Sequence, residues 1–196
     1  MTKTLCAILL AAGNSSRFGS NKLLYPINNQ PMYQHTIKLF QQLNTQKIIL
    51  ITKYPEIIKK IDPNIHIIIN NDTHLGQSHS MKLALKYLIA QKRHFDGYLF
   101  SVCDQPYLQL TSLIKLSTTW QAKGGICALA TNNKRGNPII FSQKYLPDLL
   151  NISGDTGGRS ILHKYPEEIT LVETTKPDEL IDIDTPEILE KISSKL

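Results

Sequence analysis

"TLCAILLAAGNSSRFGSNKLL", residues 4–24, runs an apolar stretch straight into a loop rich in glycine, serine and asparagine that carries one arginine and ends near one lysine. Leu5 to Leu10 reads as a strand apolar on both faces, the pattern of a strand covered by helices in a parallel sheet. The loop behind it offers backbone N–H groups from Ala11 through Gly19, and such a loop can cradle an anion. Gly13 and Gly19 allow close backbone approach or positive φ. Arg17 supplies a forked cation and Lys22 a point charge, both suited to phosphate oxygens, so the chemistry is that of a nucleoside triphosphate site. Two commoner glycine motifs are excluded. The Gly13 to Gly19 spacing misses the P-loop, with no Gly-Lys-Ser/Thr behind it, and Ser15 stands where a dinucleotide fingerprint requires its second glycine. The competing reading is a plain βα turn with a solvated Arg and Lys.

Working outward, short Ile-, Val- and Leu-rich runs ("KIILIT", "HIIIN", "GYLFSV", "GICALA") alternate with amphipathic stretches ("MYQHTIKLFQQL", "SMKLALKYLIAQ", "LTSLIKLSTTWQ"). That alternation predicts right-handed βαβ units in an α/β fold, with ligands at the carboxyl ends of the strands. Beyond Gly136 the pattern loosens into "NPIIFS", a helix at "QKYLPDLL", a glycine-rich turn "SGDTGGRSIL", a strand "EITLVE" and a last helix from Pro186. These are expected to add strands and a substrate-facing wall to the same sheet, giving one domain over residues 1–196.

Composition excludes several classes. A hydrophobic fraction of 41% and a charged fraction of 19% belong to an ordinary globular chain. The formal charge of +6 suits an anionic partner, but the basic residues are spread along the chain and the one cluster, Lys92 to His94, reads as a solvated helix end, so no nucleic-acid or membrane partner is expected. Cys6, Cys103 and Cys127 sit in or beside apolar runs without metal or redox spacing and read as buried, reduced thiols. The opening apolar run is too short for a signal peptide or membrane span, and a cytoplasmic location is expected.

Three further loops bear on chemistry. "FSVCDQPYL" puts Asp104 directly after a strand, where a carboxylate suits Mg²⁺, an ion that takes only one or two protein carboxylates. "LIDIDTPEIL" offers Asp182 and Asp184, which point to one side of an extended chain; Asp184 reads equally as the cap of the helix that follows. "NNDTHLGQSHSMKLAL" leads into a helix with Gly76, Gln77, Ser78 and Ser80 at its mouth, where amides and hydroxyls could read a base or ribose, or where Ser78 or Ser80 serves as a cap. "GDTGGRS" combines Asp155, Arg159 and three glycines as a second place for an anionic or polar substrate, or as a simple glycine turn.

These motifs together, in order along nearly the whole chain, resemble the MobA-like nucleotidyltransferases and within them the molybdenum cofactor cytidylyltransferases: "LAAGNSSRFGSNKLL", "GQSHSMKLAL", "CDQPYL", "RGNPIIF", "GDTGGRSIL" and "DIDTPEIL". The cytidylyl branch is favoured because relatives using GTP usually begin Leu-Ala-Gly-Gly and carry Asp-Met-Pro, whereas this chain has Ala12 before Gly13 and Gln105 after Asp104. Phe18 and Asn14 depart from the common pattern. The resemblance implies a Rossmann-like, mostly parallel sheet with helices on both faces, of the nucleotide-diphospho-sugar transferase type. It implies transfer of CMP from CTP to the terminal phosphate of molybdopterin with Mg²⁺ as cofactor, and a molybdoenzyme or its chaperone as recipient. Arg17, Lys22 and Asp104 become the catalytic residues. The nucleotide falls to Leu10, Ala11, Ala12, Gly13, Ser15, Gly76 and Ser80 with those three. The acceptor falls to Gln105, Gly136, Asn137, Pro138, Gly154, Asp155, Gly157 and Arg159, and the metal to Asp104, Asp182 and Asp184. The alternatives are transfer from GTP, a small alcohol phosphate as acceptor, and a non-catalytic molybdopterin carrier.

Overall fold

The structure, a computed structural model, describes residues 2–15 and 17–193. In chain order the elements are β1 (Leu5–Ala11), β2 (Pro26–Ile27), β3 (Gln30–Pro31), α1 (Met32–Gln42), β4 (Lys47–Thr52), α2 (Pro55–Ile58), β5 (His66–Ile69), α3 (Gln77–Ala90), β6 (Gly97–Val102), α4 (Leu110–Lys123), β7 (Ile126–Thr131), β8 (Lys134–Ser142), α5 (Leu146–Asn151), α6 (Arg159–Lys164), β9 (Ile169–Glu173) and α7 (Pro186–Ser193).

Successive β1 side chains alternate between two apolar layers, as the period of a strand requires. Leu5, Ala7, Leu9 and Ala11 join α1, α4 and α7 through Tyr33, Phe40, Leu113, Trp120 and Leu189. Cys6 and Ile8 join α3, α5 and α6 through Met81, Leu85, Leu149 and Ile161. Each fully buried aliphatic or aromatic side chain contributes about 1.5–3 kcal/mol by leaving water. Trp120 is wholly buried, its indole N–H donating to Ser142 Oγ at 3.0 Å, and its ring lies over Gly97.

The seven-stranded sheet has the order β5-β4-β1-β6-β8-β7-β9. Every pairing is parallel except those of β8, which runs antiparallel to both β6 and β7. The cause is local: β7 and β8 are joined by Asn132 and Asn133 alone, at φ 53° and 61°, a two-residue reversal that forces an antiparallel pair. Asn28 and Asn29, at φ 48° and 60°, make the same reversal between β2 and β3.

The expected fold is present, and the second half does extend the same sheet. Two local expectations are corrected. "HIIIN" is not covered on both faces: β5 is an edge strand, and Ile69 is 56% exposed. Neither Ser78 nor Ser80 caps α3. Gly76 occupies the cap position at φ 80° with no side-chain cap, while Ser78 Oγ donates to the Gly154 carbonyl at 2.6 Å and Ser80 Oγ accepts from Asn70 at 2.8 Å. The three cysteines are free and buried, and burial pushes the thiols up, Cys6 to about 12 and Cys127 to about 11. No helix among the described residues is long and apolar enough to cross a membrane.

From β1 the chain winds to β4 and β5 on one side and then returns to β6 on the other. The carboxyl ends of β1 and β6 therefore flank the switch point of the sheet, where an open α/β fold leaves a crevice.

Candidate active site

Lys22 opens a short 3₁₀ turn, Lys22–Leu24, whose backbone is held by its neighbours: Asn21 Oδ1 accepts from Leu23 N at 3.1 Å and Ser15 Oγ accepts from Lys22 N at 3.3 Å. Leu23, buried beside it, anchors the turn in the core. The Lys22 ammonium thereby reaches across the crevice to Asp104 Oδ2 at 2.6 Å and Asp184 Oδ1 at 2.8 Å. Arg17 meets the other oxygen of Asp184 at 2.7 Å with a side chain 71% exposed. Ser15, not Gly13, adopts positive φ in this loop, at 51°, with Gly19 at 75°.

Charge organises the cluster. Burial by itself would depress Lys22, but Asp104 and Asp184 outweigh it and leave the ammonium above its ordinary range. Burial would raise Asp184, and Lys22 with Arg17 reverses that and holds it low. Asp182 has the opposite balance: burial, reinforced by Asp104 and Asp184, pushes it up to about 6 although Gln105 donates to it at 2.9 Å. Asp104 Oδ1 is buried and has no hydrogen-bond partner among the described residues.

These groups line one cavity of about 880 Å³, which also takes in Leu10, Ala11, Ala12, Gly13 and Ser15. Gly76 and Ser80 line it from the mouth of α3, and Asn137, Gly154 and Arg159 from the far wall. Asp182 and Asp184 both face it, so Asp184 serves the crevice through its ion pairs. Gln105, Gly136, Pro138 and Gly157 are not among the residues that line the cavity. Gln105 is buried and donates to the Leu180 carbonyl as well as Asp182; Gly136 and Gly157 pack against Leu180 and Gln77 respectively. The Asp155 side chain lies outside the described residues.

One polar junction escaped the reading of the sequence. Lys53 donates to Asn14 Oδ1 and, at 3.3 Å, to Thr73 Oγ1, while Thr73 donates to Asn14 at 2.9 Å and the Tyr54 hydroxyl to the Gly13 carbonyl. The β4–α2 corner thus grips both the β1 loop and the turn before α3. Its only signal in the sequence is a polar pair closing an apolar strand.

Such a cavity, with cations facing an array of carboxylates at a switch point, suits a polyphosphate and a divalent ion. Among the described residues no three His, Cys, Asp or Glu side chains close a metal site by themselves.

Residues 7–169 match the MobA-like NTP transferase domain. The chain belongs to this family. Two curated relatives extend over most of the MobA-like chain: the purine catabolism protein PucB of Bacillus subtilis, 27% identical with 93% of each chain covered, and a molybdenum cofactor guanylyltransferase of Shewanella putrefaciens, 30% identical with 91% of each covered. The crystal structure of Rv0371C from Mycobacterium tuberculosis in complex with manganese has the same fold, with a TM-score of 0.78 at 19% identity, over 98% of this chain and 100% of that one. As a MobA-like protein the chain is a nucleotidyltransferase.

Proposed function

We propose that the chain transfers a cytidylyl group from CTP to the terminal phosphate of molybdopterin and releases pyrophosphate. The observation that carries this reading is the convergence of Lys22, Arg17 and the three aspartates in one cavity at the ends of β1 and β6. A phosphate oxygen of the acceptor attacks the α-phosphorus in line, a new phosphoanhydride forms, and the α–β bond breaks toward pyrophosphate. The attacking oxygen is already ionised near neutral pH, since the second phosphate pKa is about 6, so no protein base is needed. Positioning and charge then supply the rate.

Asp104, with its unpartnered buried oxygen, and Asp182 or Asp184 form a donor set that fits a divalent ion, Mg²⁺ by its preference for oxygen. Bound there, the ion would neutralise charge on the triphosphate. Lys22 and Arg17 face the same phosphates from the β1 loop. The start of α3, where Gly76 and Ser80 line the cavity, would take the nucleotide, and the Arg159 guanidinium on the far wall the acceptor.

Cytidine is favoured by Ala12, a buried residue whose position lines the cavity where relatives using GTP usually carry glycine. A guanylyl reading is favoured by the name of the Shewanella relative. Pyrophosphate release with each of CTP, GTP, ATP and UTP, with and without molybdopterin, separates them. Release confined to CTP plus molybdopterin is the expected result, a GTP preference transfers the reading to the guanylyl branch, and no release with any nucleotide rejects the catalytic reading.

A further inference from the structure

Glu179 is a carboxylate buried to 1% exposure, close in sequence to the crevice acids yet absent from the cavity they line. A buried carboxylate is costly unless its charge is met by hydrogen bonds. Glu179 accepts five. Oε1 takes Thr175 N at 2.9 Å, Thr175 Oγ1 at 2.7 Å, Lys176 N at 2.8 Å and Ser112 Oγ at 2.9 Å, and Oε2 takes Gln109 N at 3.1 Å. Two of these donors, Gln109 and Ser112, belong to the start of α4, where the helix dipole also favours a negative charge.

The other ties of the same segment go to the same place. Ile183 N donates to the Asp104 carbonyl at 3.0 Å, and Gln105 Nε2 donates to the Leu180 carbonyl at 3.2 Å and to Asp182 at 2.9 Å. The stretch from Asp104 to Ser112, which follows β6, thus holds residues 179–183 along its length. Asp182 and Asp184 otherwise sit in a segment without regular secondary structure, between β9 and α7. Ile183 is fully buried between them, so a shift of this segment would move both acids.

We propose that Glu179 is a positioning residue for the metal-facing carboxylates: it staples the segment before α7 onto the start of α4 and so sets Asp182 and Asp184 opposite Asp104. This rests on the metal reading given above. Partners behind a ligand shell typically cost about 10–100-fold in metal affinity when removed.

The test is Mn²⁺ binding followed by electron paramagnetic resonance with CTP present, with a thermal melt of each variant. Glu179→Ala is expected to raise the Mn²⁺ midpoint about tenfold, and Glu179→Gln, which keeps an acceptor for four of the five donors, to restore most of that affinity. Gly97→Ala, a core variant roughly 20 Å away along β6, supplies a destabilised control whose midpoint stays at the wild-type value. If Glu179→Ala is too unstable to assay, Thr175→Val, which deletes one donor, is expected to shift the midpoint in the same direction by less. A lowered melting temperature with an unchanged midpoint would overturn the positioning role. Absence of Mn²⁺ binding by the wild-type chain overturns the metal reading itself, and this inference with it.

Discussion

Lys22 stands between two carboxylates to which the proposed function gives another role, that of metal ligands. Its ammonium lies 2.6 Å from Asp104 and 2.8 Å from Asp184, so without nucleotide it neutralises the oxygens that would otherwise attract a cation. On the function proposed above, a bound triphosphate would offer this ammonium a competing set of oxygens and leave the carboxylates free to hold a divalent ion. Lys22→Met should therefore lower turnover by about 10²-fold or more, as loss of a preorganised charge does, yet tighten Mn²⁺ binding in the absence of nucleotide. Opposed signs in two assays of one variant are the signature; weaker Mn²⁺ binding in Lys22→Met would remove Lys22 from that competition. Arg17 differs because its side chain is largely exposed, and an exposed ion pair contributes about 0–1 kcal/mol to stability. Arg17→Ala is accordingly expected to melt like the wild type while losing turnover, and a large drop in melting temperature would show a structural role instead. At this scale the sequence was informative where chemistry and local order coincide: Ser15, Arg17 and Lys22 lie close together along the chain after β1, and Asp104 lies two residues beyond the end of β6. It said nothing of Glu179, whose five donors come from two separated stretches that only the tertiary fold brings together.

Elements met by local rules were legible for the same physical reason. The central strands β1, β4 and β6 announce themselves because both faces are largely buried, which removes polar alternation, and α1, α3 and α4 follow from their apolar spacing. The two Asn-Asn reversals carried a usable signal, since asparagine tolerates the positive φ that a tight hairpin demands, and reading them would have given the direction of β8. No spacing rule reveals that Trp120 on α4 lies against the first residue of β6. A Cβ at Gly97 would fall 2.3 Å from Trp120 Cζ2, and the indole is locked by its bond to Ser142. Gly97→Ala should thus overpack the layer and cost about 1–3 kcal/mol, measured by urea denaturation, with the specific activity of the folded protein retained. A neutral result would mean that α4 slides on the sheet more easily than this contact implies.

Across the whole molecule the two apolar layers and the crevice share one sheet, so binding at the crevice is coupled to the stability of both layers. The cysteines make this measurable. Cys6 lies on one layer, Cys103 and Cys127 on the other, and all three are buried with thiols raised by burial. A raised thiol pKa means that the reactive thiolate is nearly absent in the folded state at pH 8 and returns near its ordinary value of about 8.5 once the chain opens. Labelling with a disulfide reagent at pH 8 is therefore expected to be slow in buffer and to reach three thiols per chain in denaturant. A ligand that binds only the folded chain divides the open population by 1 + [L]/Kd, so nucleotide with Mg²⁺ at about 100 times its Kd should slow labelling about 100-fold. Protection by CTP exceeding that by GTP at equal concentration would place the base preference in binding, before any chemistry. Protection of Cys103 alone, beside Asp104 at the crevice, with Cys6 and Cys127 labelled as fast as before, would mean that the site opens locally and that the two layers do not unfold as one.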